Sequence, residues 1–321
     1  MTVPSPGERG RPLRSCRRWS ALLPLILLLP VVPLAAGCSG SGDGSADGDG
    51  NLPDDRSVRV VSLDYALTET LLELGVRPVG VPDLEGYDRW VVDPELPSDV
   101  VDVGSTFEPN LELIQQLDPD LILTTPCLAG VRHRLERIAP TLSLAIYSPD
   151  GGGAYASAVE VTRRLGERLG RERAARELIA RVDSSLEAVR DSLRPYRDTP
   201  IYLVRFMDPR HVRVFGEESL FDDVLERVDV PNGWEEETNY WGFSTVGIEA
   251  LATREGVRLF YLSPPPREVL STLEESALWS RLPFVQAGRV HPFPMVLQFG
   301  GLPSAERFGR LLVERLTSTA E

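Results

Sequence analysis

From residue 58 onward, apolar positions alternate between two spacings. Short, nearly continuous apolar runs at 58–63, 79–81, 100–103, 121–124 and 142–147 predict strands buried on both faces, since such strands lose the in-out alternation of an exposed sheet. Between them, 68–75, 110–117 and 132–138 predict helices, the first closed by Gly75. Strand-helix alternation with short loops predicts a parallel sheet covered by helices, and such sheets bind ligands beyond the carboxyl ends of their strands. Between residues 155 and 193 the pattern changes. Leu165, Leu169, Leu178, Val182, Leu186, Val189 and Leu193 mark a stripe among many Arg and Glu, predicting one long amphipathic helix that ends before Pro195. A second alternation follows, with strands at 201–206, 211–215, 259–262 and 289–292, a segment at 244–251, helices at 220–228 and 269–279, and a closing helix from Ser304. The expected fold is α/β: two Rossmann-like lobes bridged by one long rigid helix.

Ahead of this pattern the chain reads as an address. Arg9, Arg11, Arg14, Arg17 and Arg18 precede an apolar run at 21–36 that is short and interrupted by Pro24, Pro30 and Pro33, which fits a signal peptide and not a membrane span. The run ends in Leu34-Ala35-Ala36-Gly37-Cys38, which is similar to a bacterial lipobox and marks Cys38 as the lipidated first residue of the exported protein. The Gly, Ser and Asp residues at 39–50 cannot bury apolar surface and form a tether. The domain reading is therefore a signal peptide at 1–37, a lipidated cysteine with its tether at 38–56, an N-terminal lobe at 57–150, a linking helix at 151–195 and a C-terminal lobe at 196–321. Arg17-Arg18 leaves both Sec and Tat export open.

Charge and motif content narrow the function. The chain holds 48 acidic residues and 34 basic ones, every basic one an Arg, for a net −14; residues 1–37 contribute +4, so the remainder carries about −18. An acidic exported domain lacks the basic face that a nucleic acid requires. With Cys16 in the signal peptide and Cys38 at the anchor, Cys127 stands alone, so no disulfide staples the folded part. No P-loop, dinucleotide-binding glycine motif, nucleophile elbow, HExxH or CxxC occurs, which leaves catalysis and resident cofactors without a motif. His133, His211 and His291 are scattered, and His211 in the turn Asp208-Pro209-Arg210-His211 fits a structural hydrogen bond better than metal ligation. Cys127 reads as a semi-buried loop thiol, with no evident base to activate it.

What the sequence does hold is aromatics and arginines near strand ends. Trp90, Trp234, Tyr240, Trp241, Phe243, Phe293 and Phe299 fall mostly in loops or just after strands. Any one could plug a gap between lobes; together they predict an aromatic-walled cleft for a ligand of moderate size. Arg205 sits within an apolar strand, where a guanidinium needs a carboxylate partner, another anion or a ligand oxygen, and Arg213 poses the same question.

The runs Arg59-Val60-Val61-Ser62-Leu63, Glu108-Pro109-Asn110-Leu111-Glu112-Leu113-Ile114, Pro119-Asp120-Leu121-Ile122-Leu123, Asp208-Pro209-Arg210-His211, Pro231-Asn232-Gly233-Trp234, Glu237-Thr238-Asn239-Tyr240-Trp241-Gly242 and Phe284-Val285-Gln286-Ala287-Gly288-Arg289 resemble the ferric-siderophore substrate-binding proteins of ABC importers, in particular their ferrichrome-type, hydroxamate-binding members. The resemblance covers about 57–315. It implies a helical-backbone binding protein with a shallow cleft, no cofactor, iron carried only as a siderophore chelate, and an ABC permease with its ATPase as partners. Carried over by position, it places Trp90, Asn239 and Trp241 in the pocket and Trp234 beside it. It also marks departures: Thr106 stands where these proteins hold the hydroxamate oxygens with an Arg, Leu128 where a Tyr partners that Arg, and Leu297 and Phe299 where a pocket Trp and Tyr lie. Arg205 replaces a polar pocket residue. For permease docking, the resemblance implies Glu249 from the C-terminal lobe; the N-terminal position is His133, with Glu136 one helical turn on as its substitute.

The expected function is that of a monomeric, non-enzymatic receptor, lipid-anchored to the outer face of the cell membrane, that delivers a ferric siderophore to a permease. Arg205, helped by Arg213, is expected to replace the missing arginine, with Phe243 completing the aromatic wall. The alternatives are a corrinoid or haem receptor of the same fold and an exported enzyme using Cys127 or a cleft carboxylate.

Overall fold

In the computed structural model, which describes residues 58–149 and 152–318, the first half of the chain alternates as the apolar runs require. The elements are β1 (Val60–Ser62), α1 (Tyr65–Glu73), β2 (Pro78–Val81), α2 (Leu84–Trp90), β3 (Val101–Asp102), α3 (Leu111–Gln116), β4 (Leu121–Thr124), α4 (Arg132–Leu135) and β5 (Thr141–Ser143). All five strands run parallel in the order β3-β2-β1-β4-β5. The central strands β1 and β4 are buried along their whole length, which explains their unbroken apolar sequence. Helix starts are set by side chains: Asp64 accepts from the Leu67 N–H at 3.0 Å at the head of α1, and Asn110 accepts from the Leu113 N–H at 3.1 Å at the head of α3.

The stretch expected to be one helix over 155–193 is two, α5 (Ala154–Leu169) and α6 (Glu172–Ser192). Gly170 divides them in the left-handed region (φ 64°, ψ 36°), a conformation costly for other L-residues and common just past a helix end. The chain then folds α6 back on α5, where Gly166 lets Ala175 approach closely. Helix α6, with 21 residues, is about 32 Å long and packs along the C-terminal helix.

The second sheet is built from β6 (Ile201–Phe206), β7 (His211–Phe215), α7 (Leu220–Arg227), β8 (Phe243–Gly247), β9 (Arg258–Ser263), α8 (Val269–Glu274), α9 (Pro283–Gln286) and β10 (Val290–Pro294), and α10 (Leu302–Ser318) closes the chain. Its order is β10-β9-β6-β7-β8; β10, β9 and β6 are parallel, whereas β6, β7 and β8 form an antiparallel meander. The four-residue connection 207–210 is too short for a parallel crossover and forces β7 to turn back. One hydrophobic cluster runs from Val60 and Leu71 through Leu165, Leu178 and Leu186 to Leu203, Phe221 and Phe308, so the two lobes share a core.

Candidate functional site

The loops that leave the carboxyl ends of the first sheet face the rim of the second across a cleft. Two adjoining hollows of about 440 and 500 Å³ share Asp64, Ala66, Thr125, Cys127, Trp241 and Phe299 as common wall, so they are halves of one depression. The first lobe supplies residues just past β1 (Asp64), β3 (Thr106, Phe107), β4 (Thr125, Cys127) and β5 (Tyr147), as expected for ligand sites on parallel sheets.

The second lobe supplies an aromatic wall. Trp241 stacks on Tyr147 with centroids 5.8 Å apart and lies 5.1 Å from Phe299, which in turn lies 5.7 Å from Tyr147 and 6.0 Å from Phe243. The loop carrying Trp241 is shaped by Asn239, whose side-chain oxygen accepts the N–H groups of Trp241 (3.0 Å) and Phe243 (3.4 Å). Gly242 follows at φ 75°, where a Cβ would overlap the Ser219 backbone at the start of α7. An Asn and a Gly thus press an aromatic hairpin against a helix terminus and aim Trp241 into the cleft. Tyr147 is a protonated donor, its phenol held well above its ordinary range by burial, and it donates to the Gly300 carbonyl at 3.3 Å.

Among the described residues, Arg213 is the one cation lining the cleft. Its guanidinium lies 4.5 Å from the Phe243 ring centroid, and its Nε is buried without a hydrogen-bond partner. Directly opposite in the β6–β7 register stands Arg205, whose guanidinium covers the ring of Trp90 from the other lobe at 4.2 Å. Burial lowers the pKa of both arginines, and the neighbouring Arg213 lowers that of Arg205 further. Among the described residues neither forms an ion pair with a carboxylate. The acidic side chain on the wall, Asp64, is engaged in capping α1, and burial pushes its carboxyl up.

Of the residues expected at the ligand, the structure brings Thr106, Arg213, Trp241, Phe243, Leu297 and Phe299 together on the cleft wall. The order of the two arginines is reversed from expectation: Arg213 faces the cleft, and Arg205 sits beside it against Trp90. Leu128 is a correction. The turn at Pro126–Leu128 directs Cys127 toward the cleft and buries Leu128 with Val61, Ile114 and Leu135. Trp234 is another, packed edge-on against Tyr202 in the core of the second sheet. Asn239 shapes the loop and is not part of the wall. Tyr147, Asp64 and Phe107 are wall residues outside the expected set, although the strand-end rule points to them; of the aromatics expected to wall the cleft, Tyr240 lines it and Phe293 is buried in the core. Cys127 is exposed and not semi-buried, and no imidazole is among the wall residues to activate it. His211 is engaged by Asp208 (2.9 Å), and among the described residues no cluster of potential metal ligands occurs.

The docking candidates lie at the surface. Glu249 is exposed on the helical turn after β8, and Glu136 is exposed and paired with Arg132 at 2.7 Å. Cys38 lies outside the described residues, and among these no helix is long and apolar enough to cross a membrane.

Residues 60–294 match the family model described as periplasmic binding protein. The chain is 34% identical over 254 residues to the iron(3+)-hydroxamate-binding protein FhuD of Escherichia coli, covering 79% of this chain and 85% of that one. It is 26% identical over 268 residues to the probable siderophore-binding lipoprotein YfiY of Bacillus subtilis, covering 77% and 78%. Among solved structures it resembles the siderophore-binding protein FhuD of Vibrio cholerae bound to Fe3+-Desferal, with a TM-score of 0.76, 33% identity, and coverage of 80% of this chain and 97% of that one.

Proposed function

The chain belongs to the periplasmic binding protein family, and from that premise we propose that it is a receptor that captures a ferric siderophore in the cleft between its two sheets and delivers it to an ABC permease. The observation that carries this reading is the wall itself: four rings in mutual contact, Tyr147, Trp241, Phe243 and Phe299, beside the Arg213 guanidinium, whose buried Nε has no hydrogen-bond partner. Rings of this kind lie flat against the organic shell of a chelate, and Arg213 suits the partly negative oxygens around ferric iron. The reading is supported by the hydroxamate-binding name of the Escherichia coli relative and the Fe3+-Desferal in the Vibrio cholerae structure. The relatives are named as binding proteins, which supports binding as the role.

Delivery places the protein outside the cell, held to the membrane through Cys38 and the Gly-Ser-Asp tether, with Glu249 and Glu136 as the charges that meet the permease. A lipid on Cys38 provides the membrane affinity that an acidic domain lacks. Cys38→Ala is then expected to move the protein from the membrane to the soluble fraction or leave it unprocessed; a variant still processed and membrane-bound in high salt contradicts the anchor. Titrating ferric hydroxamates, catecholates and citrate complexes against tryptophan emission tests the receptor reading. Saturable quenching that shrinks in Trp241→Phe is expected, and no quenching by any of them refutes it.

A further inference from the structure

The arrangement of Arg205 and Arg213 is unfavourable in the protein alone. Like charges directly opposite on adjacent antiparallel strands repel, and here both guanidinium groups stand on aromatic rings, with no carboxylate ion pair among the described residues. The buried Nε of Arg213 has no acceptor, although buried polar groups in folded proteins nearly always find one. The acidic residue on the cleft wall, Asp64, is held by the N-terminus of α1. Two positive charges are thus set side by side at the edge of a cleft with no carboxylate paired to either among the described residues, while the remainder of the exported domain is strongly acidic. What completes such a site is negative charge brought by the ligand.

We propose that the Arg205–Arg213 pair makes this cleft selective for ferric chelates of net negative charge, a carboxylate-bearing chelate fitting best because a guanidinium holds a carboxylate through two parallel hydrogen bonds. This rests on the receptor reading above. Iron(III) bound by three hydroxamates is neutral and offers the pair only partial charge. Thr106 on the opposite wall supplies a hydroxyl and no second cation, so the positive charge is concentrated on the β6–β7 side.

A single iron centre with three tails isolates charge from shape. Ferrioxamine B carries a free ammonium, its N-acetyl derivative is neutral, and its N-succinyl derivative ends in a carboxylate; all three hold iron in the same trihydroxamate shell. With the protein as isolated, affinity is expected to rise from ammonium to acetyl to succinyl, by about tenfold or more from first to last at low salt, and to converge as salt is added. Arg213→Gln and Arg205→Gln are expected to flatten the series, and Arg213→Lys to keep its order. Equal affinity for the three in the parent protein, or an unchanged order in both Gln variants, overturns the charge selection while leaving the receptor reading standing. Failure of all three, and of ferric citrate and ferric catecholate, to bind overturns the receptor reading and this inference with it. The parent series decides the question even where a variant does not fold.

Discussion

Glu69 is the residue that the sequence pattern hides most completely. It occupies an unremarkable position in α1, yet it is fully buried, accepting the Gly301 N–H at 2.6 Å and the Ser304 hydroxyl at 2.7 Å at the start of α10. Burial pushes its pKa up to about 8, against the opposing pull of those hydrogen bonds. In the unfolded chain it titrates near 4.5, so between these values the native state binds the extra proton. Its contribution to stability is therefore complete below about pH 4.5 and declines as pH rises toward 8, by at most about 1.4 kcal/mol per pH unit. Glu69→Gln, which mimics the protonated acid, is expected to remove that slope. Thermal unfolding of both proteins across pH 5 to 8 checks it, and parallel curves contradict it. The arginines teach a related lesson. An Arg inside an apolar strand announces that it needs a counter-charge, but that the β6–β7 register sets Arg205 beside Arg213, and that Arg213 lines the cleft while Arg205 covers Trp90, are tertiary facts that a single sequence does not reveal.

Among the elements, β1 and β4 were legible because a strand buried on both faces must be apolar throughout, and the helix expected from residue 110 starts where Asn110 caps it, whereas α1 begins at Tyr65, three residues ahead of the expected start, because Asp64 caps it. The break between α5 and α6 was not legible from periodicity, because the apolar stripe resumes at helical spacing beyond it; Gly170 itself was the available signal. Leu128 and Trp234 failed for another reason. Correspondence of position places a residue in a loop, while one residue of turn decides whether it faces the ligand or the core. The loop from Asn239 to Phe243 shows how local chemistry sets a site. Asn239→Ala removes two acceptor contacts, to Trp241 and Phe243, and is expected to weaken chelate binding about tenfold by loosening the aromatic wall, with little loss of overall stability. Affinity measured beside thermal unfolding separates the two; an unchanged affinity contradicts the positioning role.

Across the whole molecule, the lobes are tied in ways that resist wide closure. A common hydrophobic cluster passes through α5 and α6, Glu69 bridges α1 to α10, and Tyr147 reaches Gly300. Ligand binding is therefore expected to leave the small-angle scattering profile nearly unchanged, whereas a hinge-bending receptor would contract. With Glu249 meeting the permease as proposed, Glu249→Ala should impair uptake without altering affinity, since Glu249 is exposed and not among the residues lining the cleft; a matching loss of affinity would contradict that assignment.

In the proposed complex a ferric chelate sits between Trp241, Phe243 and Phe299 of the second lobe and the strand ends of the first. Crystals grown with ferrioxamine B and with its succinylated form test this directly through the anomalous signal of iron. One iron peak is expected in the cleft, flanked by Trp241, Tyr147 and Phe299 and facing Arg213. Iron located elsewhere on the molecule, or a cleft without iron at saturating chelate, would contradict it.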